Sequence, residues 1–185
     1  SVASLFRDPL VFAVPASIPQ EMVERALQKS AKPGLLDPTL TRYVEIDANV
    51  PMRGASDAWY RAHLPYATPA FSTMTYAAAI DIVAEGLATA HTPLSLLPSL
   101  PQSVRSRLRV YAIPGLDRNI VLAMPRHLMT LAGYANIHRR LTEFARHEYG
   151  LNIPPDTVLE LPLSDRARPE KEHVTLRPAE EMPAK

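Results

Sequence analysis

The 185-residue sequence contains no cysteine, only six glycines, and almost no net charge, with 20 basic against 19 acidic side chains. Without cysteine there are no disulfides and no thiolate metal sites, a composition that fits a reducing cytosol and fits many periplasmic proteins equally well. No two glycines stand close enough to build a phosphate-cradling loop, so neither a GxGxxG fingerprint nor a Walker sequence is present and nucleotide use is not expected. The balanced charge supplies no long-range field to draw the chain as a whole onto nucleic acid or an anionic membrane. No stretch approaches the roughly 20 apolar residues needed to span a bilayer, and Ser1 to Asp8 hold no basic region followed by an apolar run with a cleavage site. A soluble chain is therefore expected. The six histidines form no HExxH pattern, so His63, His91 and His138 read as ordinary polar or packing residues, and no metal or other cofactor is expected.

What is present is a 46% hydrophobic composition, enough to bury a core in one domain or two small lobes, and 19 prolines. The prolines fall mostly between periodic segments and imply many short elements with rigid connections. The segment from Ala79 to Pro93 is the most informative. Ile80, Val83 and Leu87 repeat at helical spacing, Gly86 suits the left-handed residue that ends a helix, and Pro93 closes a short extended run. With a strand over Thr68 to Thr75 ahead of it, this makes a strand-helix-strand unit of the kind that builds a parallel α/β layer.

Around that unit, Pro9 to Pro15 is a continuous apolar run and reads as a central strand buried on both faces. Pro19 to Leu27 reads as a helix, Arg42 to Asp47 as an alternating strand, and Ser56 as the N-cap of a short helix through Leu64. Pro98 to Arg107 is a short helical or irregular connection. Leu108 to Ile113 and Asn119 to Met124 read as two strands separated by Pro114-Gly115-Leu116-Asp117, spacing that suits a hairpin or a crossover between lobes. Tyr134 to Tyr149 is an amphipathic helix with Tyr134, Ile137, Leu141 and Phe144 as its apolar stripe, His138, Arg139, Arg140, Arg146 and His147 off that stripe, and Gly150 as its stop. Residues 151–185 are rich in proline and charge and are expected to form a mobile tail.

Chemistry-bearing patterns are sparse. Gly54-Ala55-Ser56-Asp57-Ala58 lacks the second glycine of a nucleophile elbow, which favours Ser56 as a cap. Nothing in the spacing selects a triad such as Ser72, His91 and Asp81. The basic face of the last helix reads first as a solvated face. Phe71-Ser72-Thr73-Met74-Thr75 stands apart, because it leads from a strand end into a helix N-terminus, where ligands dock in α/β sheets. Free N–H groups and the helix dipole favour an anion there, and hydroxyls of Ser72, Thr73 and Thr75 either add hydrogen bonds to it or merely cap the helix.

The ordered set Phe6-Arg7-Asp8-Pro9-Leu10-Val11-Phe12-Ala13-Val14-Pro15, the helix-glycine-strand segment Ala79 to Pro93, the strands Arg107 to Pro114 and Asn119 to Met124, and the final helix together resemble the effector-binding domain of a LysR-type transcriptional regulator. The resemblance covers roughly Leu5 to Tyr149, and Ala88 stands where the family's pattern has a second glycine. It implies a periplasmic-binding-protein-like (type 2) α/β lobe, the family's second, over about residues 10–120, with 120–149 returning to part of its first lobe, so that 1–150 form a partial effector-binding domain. The family's winged helix-turn-helix and the first half of its effector domain have no counterpart here, so Ser1 is expected to fall inside a domain, with a DNA-binding segment about 150 residues ahead.

By the same resemblance, the chain is expected to sense a small anionic metabolite near Ser17, Phe71, Ser72, Thr73 and Thr75. Phe71 would pack the apolar part, and the hydroxyls and helix terminus would hold the charge. Family members are cytoplasmic, form homodimers or homotetramers, and reach DNA only through the winged helix-turn-helix; no membrane partner and no enzymatic activity are implied. A solute-binding protein of a transport system shares the lobe architecture and is the alternative, which an export signal upstream of Ser1 would favour.

Overall fold

The computed structural model describes residues 1–147, 149 and 158–161, together with the backbone of 177–178. Six consecutive residues, Leu10 to Pro15, are buried in the strand β1 (Val2–Pro15), which takes β4 (Ala90–Pro93) on one side and β5 (Leu108–Ala123) on the other, both antiparallel. This is the central position that its unbroken apolar run predicts. The strands β2 (Arg42–Ile46) and β3 (Thr68–Thr73) pair in parallel, and a parallel bridge between Tyr43 and Thr89 joins them to the start of β4. The spatial order is thus β3, β2, β4, β1, β5. The strand-helix-strand unit read from the sequence is β3, α3 (Tyr76–Ala84) and β4, with β2 between its two strands.

Alternation along the strands builds two cores. Val11, Ala13, Val44, Ile46 and Ala90 point to a layer holding α3 and the 3-10 turn Leu94–Ser99, where Ile80, Val83, Leu94 and Leu97 are buried. Phe12, Val14, Tyr43 and Tyr111 point the other way, to α1 (Gln20–Ala26) and α2 (Arg53–His63) with Trp59, Tyr60 and Leu64. Burying each Val, Leu or Phe side chain contributes about 1.5–3 kcal/mol, so the middle of β1, which feeds both layers, holds the sandwich together. α3 ends as its glycine requires: Gly86 sits at φ +76°. The Gly86 N–H donates to Val83 O and the Leu87 N–H to Ile82 O, the paired bonds of a Schellman stop. Leu87 lies past this stop and is exposed rather than part of the helix stripe.

Three expectations are corrected. Residues 108–123 form a single strand, not two strands around a turn. Gly115, at φ +76°, sits near a register shift between Pro9 and Val11, so the β1–β5 pair bends there and runs on as a ribbon to Val2 and Ala123. Ser56 lies inside α2; the residue that caps this helix is Met52, in the left-handed conformation and with no side-chain bond. In α6 (Ala132–His147), His138 and Ala145 are the buried residues, while Tyr134, Ile137, Leu141 and Phe144 are 45–52% exposed. The part of α6 turned to the ribbon carries Ala145, packed with Phe6, and Arg146, which donates to Ser4 O.

Short helices α4 (Gln102–Arg105) and α5 (Arg126–Met129) complete the described connections. Of the expected mobile tail, residues 158–161 lie against β5, with the Leu159 N–H donating to Val110 O and the Ala112 N–H to Leu159 O, both at 2.8 Å. The two residues Arg177–Pro178 (β6) pair with Phe6 and Arg7 of β1. Gly150 and the remainder of 151–185 lie outside the described residues.

Candidate functional site

The parallel strands β2, β3 and β4 end together at Ile46, Thr73 and Pro93, and Leu10 of β1 pairs with Pro93 at that same edge. Thr75 follows as the N-cap of α3: its Oγ1 accepts the Ala78 N–H at 3.2 Å, and its carbonyl accepts the Ala79 N–H at 3.2 Å and the Thr73 hydroxyl at 3.2 Å. The N–H groups of Tyr76 and Ala77 have no acceptor among the described residues. Two orphan donors and the positive end of a helix dipole therefore meet solvent at the carboxyl edge of the sheet, a geometry suited to an anion. Met74 beside them is 80% exposed. The Tyr76 hydroxyl donates to Pro51 O at 3.3 Å and so ties the loop after β2 to the helix start.

Just beyond the edge, the β1–β5 ribbon carries a charge cluster. Asp8 is completely buried, and Arg118 is its cross-strand partner. Asp8 Oδ2 accepts Nε and Nη2 of Arg118 at 3.0 and 2.8 Å and the Ser95 hydroxyl at 2.7 Å, while Oδ1 accepts the Ser95 N–H at 2.9 Å. The Arg118 guanidinium lies 5.9 Å from the Tyr76 ring centroid, within cation–π range. Burial raises the Tyr76 phenol above its usual value; Arg118 opposes that shift and Asp8 adds to it. Tyr149 donates to Ser95 O at 3.0 Å, linking the chain after α6 to the same group. The cluster thus joins the ribbon, the end of β4 and the start of α3.

The residues expected at the site do not all meet. Phe71 and Thr73 share the half-buried side of β3, with Phe71 packed on the first core, and Thr75 follows them at the helix cap. Ser72 alternates to the other side of the strand and is exposed there. Ser17 is misplaced in the expected set: it is exposed beyond Pro15, and because β1 runs antiparallel to β4 that end pairs with Leu108 and lies at the opposite edge of the sheet. At about 3.3 Å per residue, the five steps from Leu10 to Pro15 separate the two edges by roughly 16 Å. The contact between Arg118 and Asp8 is not legible in the sequence, where Pro114-Gly115-Leu116-Asp117 reads as a turn ahead of Arg118. The register sets Asp8 directly opposite Arg118, while Arg7 and Asp117, whose direct partners are Asn119 and Pro9, meet diagonally at 2.6 Å on the other face of the ribbon.

A second polar pair lies on the other face of the sheet. His91 Nδ1 and Ser56 Oγ are 2.6 Å apart, and the imidazole stacks on Tyr60 at 4.5 Å with Trp59 and Phe12 edge-on. Burial, with a smaller contribution from His63, lowers the His91 pKa to about 3, so the ring is neutral. Ser72 and Asp81 are both exposed, away from buried His91, and no triad of these three forms. Among the described residues no group of three or more His, Cys, Asp or Glu side chains could hold a metal ion.

No family model and no curated protein matches this chain. Among solved structures, the regulatory domain of CcmR from Synechocystis PCC6803, in complex with 2-PG, aligns with a TM-score of 0.54 and 13% identity over 80% of this chain and 68% of that one. The OxyR2 E204G regulatory domain from Vibrio vulnificus aligns with a TM-score of 0.49 and 15% identity over 78% of this chain and 65% of that one. An OxyR mutant from Porphyromonas gingivalis gives 0.46 and 17% over 85% and 64%. The chain thus spans a little under two thirds of the length of the OxyR-type structures it resembles. These structures are regulatory domains of LysR-type regulators, with a periplasmic-binding-protein-like fold. The likeness to CcmR places the present chain in that fold.

Proposed function

We propose that this chain is the effector-sensing part of a LysR-type transcriptional regulator and that it binds a small anionic metabolite at the N-terminus of α3. The observation that carries this reading is the pair of orphan N–H groups on Tyr76 and Ala77, set at the carboxyl edge of the parallel strands. The fold shared with the CcmR regulatory domain, whose structure holds 2-PG, supports a small-molecule effector. Phe71 lines the apolar side. Thr73 and Thr75 shape the helix entry, and the exposed Ser72 hydroxyl approaches only a ligand that reaches around the strand. Ser17 is not part of this site.

On this reading a second wall of the cleft comes from another lobe, towards which the β1–β5 ribbon and α6 extend. Binding acts by favouring one arrangement of the lobes, and it can shift that balance only by its difference in affinity between states; moving 1:99 to 99:1 takes about 5.5 kcal/mol. The output is DNA binding through a winged helix-turn-helix outside this chain, in a cytoplasmic homodimer or homotetramer. No helix among the described residues is long and apolar enough to cross a membrane.

The test is titration calorimetry of the chain against small carboxylates and phosphates, each beside its neutral amide or ester. Selective heat from the charged member of a pair is the expected result. If no anion in the panel binds more tightly than its neutral partner, this reading fails.

A further inference from the structure

We infer that Ser95 is the catch of a clasp that sets the angle at which the β1–β5 ribbon, with α6, leaves the sheet, and that releasing it lets ribbon and helix swing as one body. The ladder is interrupted where the ribbon departs. Pro9 faces Asp117 and Val11 faces Ala112, so the single residue Leu10 lies opposite residues 113–116 of β5, a stretch that holds Pro114 and the left-handed Gly115. Leu10 still pairs with Pro93 of β4 and belongs to the sheet, whereas Asp8 belongs to the ribbon. With the ladder disrupted there, contacts outside it must fix the ribbon's direction.

Those contacts converge on one residue. Among the described residues, three side-chain hydrogen bonds cross from the ribbon, α6 and Tyr149 to the rest of the chain, and all three end on Ser95: its N–H donates to Asp8 Oδ1 at 2.9 Å, its hydroxyl donates to Asp8 Oδ2 at 2.7 Å, and its carbonyl accepts the Tyr149 hydroxyl at 3.0 Å. Arg118 steadies Asp8 from within the ribbon, and its guanidinium also lies 5.9 Å from the Tyr76 ring centroid. On the moving side the parts hold to each other. Arg146 donates to Ser4 O, and Phe6, Ile120, Ala145 and Tyr149 form a small apolar cluster separate from both main cores. At about 3.3 Å per residue, the six steps from Asp8 to Val2 put the far end of the ribbon about 20 Å away, so a rotation of about 10° at Asp8 moves that end by about 3 Å. The inference stands whatever binds at α3.

The experiment places spin labels on the 185-residue chain, which has no cysteine of its own to take them. One pair, Asp81→Cys in α3 with Arg140→Cys in α6, spans the clasp, and a control pair, Asp81→Cys with Ser103→Cys in α4, lies on the sheet side alone; all three positions are exposed. Pulsed electron paramagnetic resonance then compares Ser95→Ala, Tyr149→Phe and the two together with the intact clasp. In the double variant the α3–α6 distance distribution should shift or widen by about 3 Å or more, the scale of a small rotation at Asp8, while the control distance stays unchanged. Tyr149→Phe keeps the ring that stacks on Phe6 at 5.3 Å and removes only the hydroxyl, so it supplies the reading if Ser95→Ala does not fold. An α3–α6 distribution unchanged in the folded variants overturns the inference. Equal broadening of both pairs also overturns it, because that marks a general loosening rather than a swing.

Discussion

Asp8 and Arg118 face each other across the β1–β5 ribbon as cross-strand partners, and on the solvent side Arg7 and Asp117 meet diagonally as a second pair. The two pairs predict opposite costs. Removing one partner of a buried pair strands a charge, so Asp8→Ala should destabilise the fold by about 3–5 kcal/mol. Arg7 and Asp117 are 53% and 36% exposed, and water screens exposed pairs, so Arg7→Ala should cost less than about 1 kcal/mol. Urea unfolding of the two variants checks the contrast, and equal losses would contradict it.

The neutral state of His91 predicts an acid-sensitive core. Its pKa is lowered from 6.5 to about 3 in the folded chain, so between those values the unfolded chain binds a proton that the folded chain excludes. Stability is therefore fully retained above about pH 6.5 and falls as the pH drops toward 3, with a limiting slope of about 1.4 kcal/mol per unit. Measured against His91→Gln, the wild type should lose about 2–3 kcal/mol more between pH 6.5 and 4.5. Parallel stability curves for the two proteins would assign the acid sensitivity elsewhere.

Much of the central fold was legible because the signals were local. The run Leu10 to Pro15 could only be a doubly buried strand, and the Ala79 to Pro93 segment carried its own stop at Gly86. What could not be read was long-range. Whether residues 108–123 form one strand or two depends on a partner distant in sequence, since pairing with β1 on both sides of a register shift keeps Pro114 and Gly115 within one strand. The Ser17 error has the same origin: strand direction decides which edge a loop joins, and antiparallel β1 reverses the expectation for its own end. The neighbourhood of Phe71, Thr73 and Thr75 is legible because a strand running into a helix start is a contiguous feature. The contact of Asp8 with Arg118 is not, because it depends on the register between two distant strands. Ser56 looked like a cap because the actual N-cap, Met52, has no capping side chain.

Thr75 separates helix stability from ligand binding. Its Oγ1 caps the Ala78 N–H, so Thr75→Ala should cost about 1 kcal/mol while Thr75→Asp keeps or improves the cap. The aspartate nevertheless brings a negative charge to the orphan donors. It should therefore leave the melting temperature at or above wild type and abolish the anion heats measured by calorimetry. Undiminished anion binding in Thr75→Asp would move the site away from α3.

Gly86 and Met52 occupy almost the same left-handed backbone, at φ +76° and +75°. Only one of them suits it. Gly86→Ala meets no neighbouring atom within 4 Å, so its cost is conformational alone, about 1 kcal/mol. Met52→Gly relieves the same strain, offset by the greater freedom glycine has when unfolded, and should come out neutral to about 1 kcal/mol stabilising. Chemical denaturation of both variants tests this; a destabilised Met52→Gly would show that the Met52 side chain contributes packing that outweighs its backbone strain.

The apolar stripe of α6 is exposed where that of α3 is buried. Ile137 and Leu141 are 52% and 48% exposed, whereas Ile80 and Val83 in α3 are completely buried, although both sets fall on helical apolar stripes. Burial, not residue type, sets the cost of a substitution. Ile137→Gln with Leu141→Gln should shift stability by less than about 1 kcal/mol and reduce binding of a hydrophobic dye, while Ile80→Ala alone should cost about 2–5 kcal/mol. If the double substitution in α6 were as damaging as the single one in α3, exposure would not be what separates the two stripes, and the α6 side chains would have to be packed.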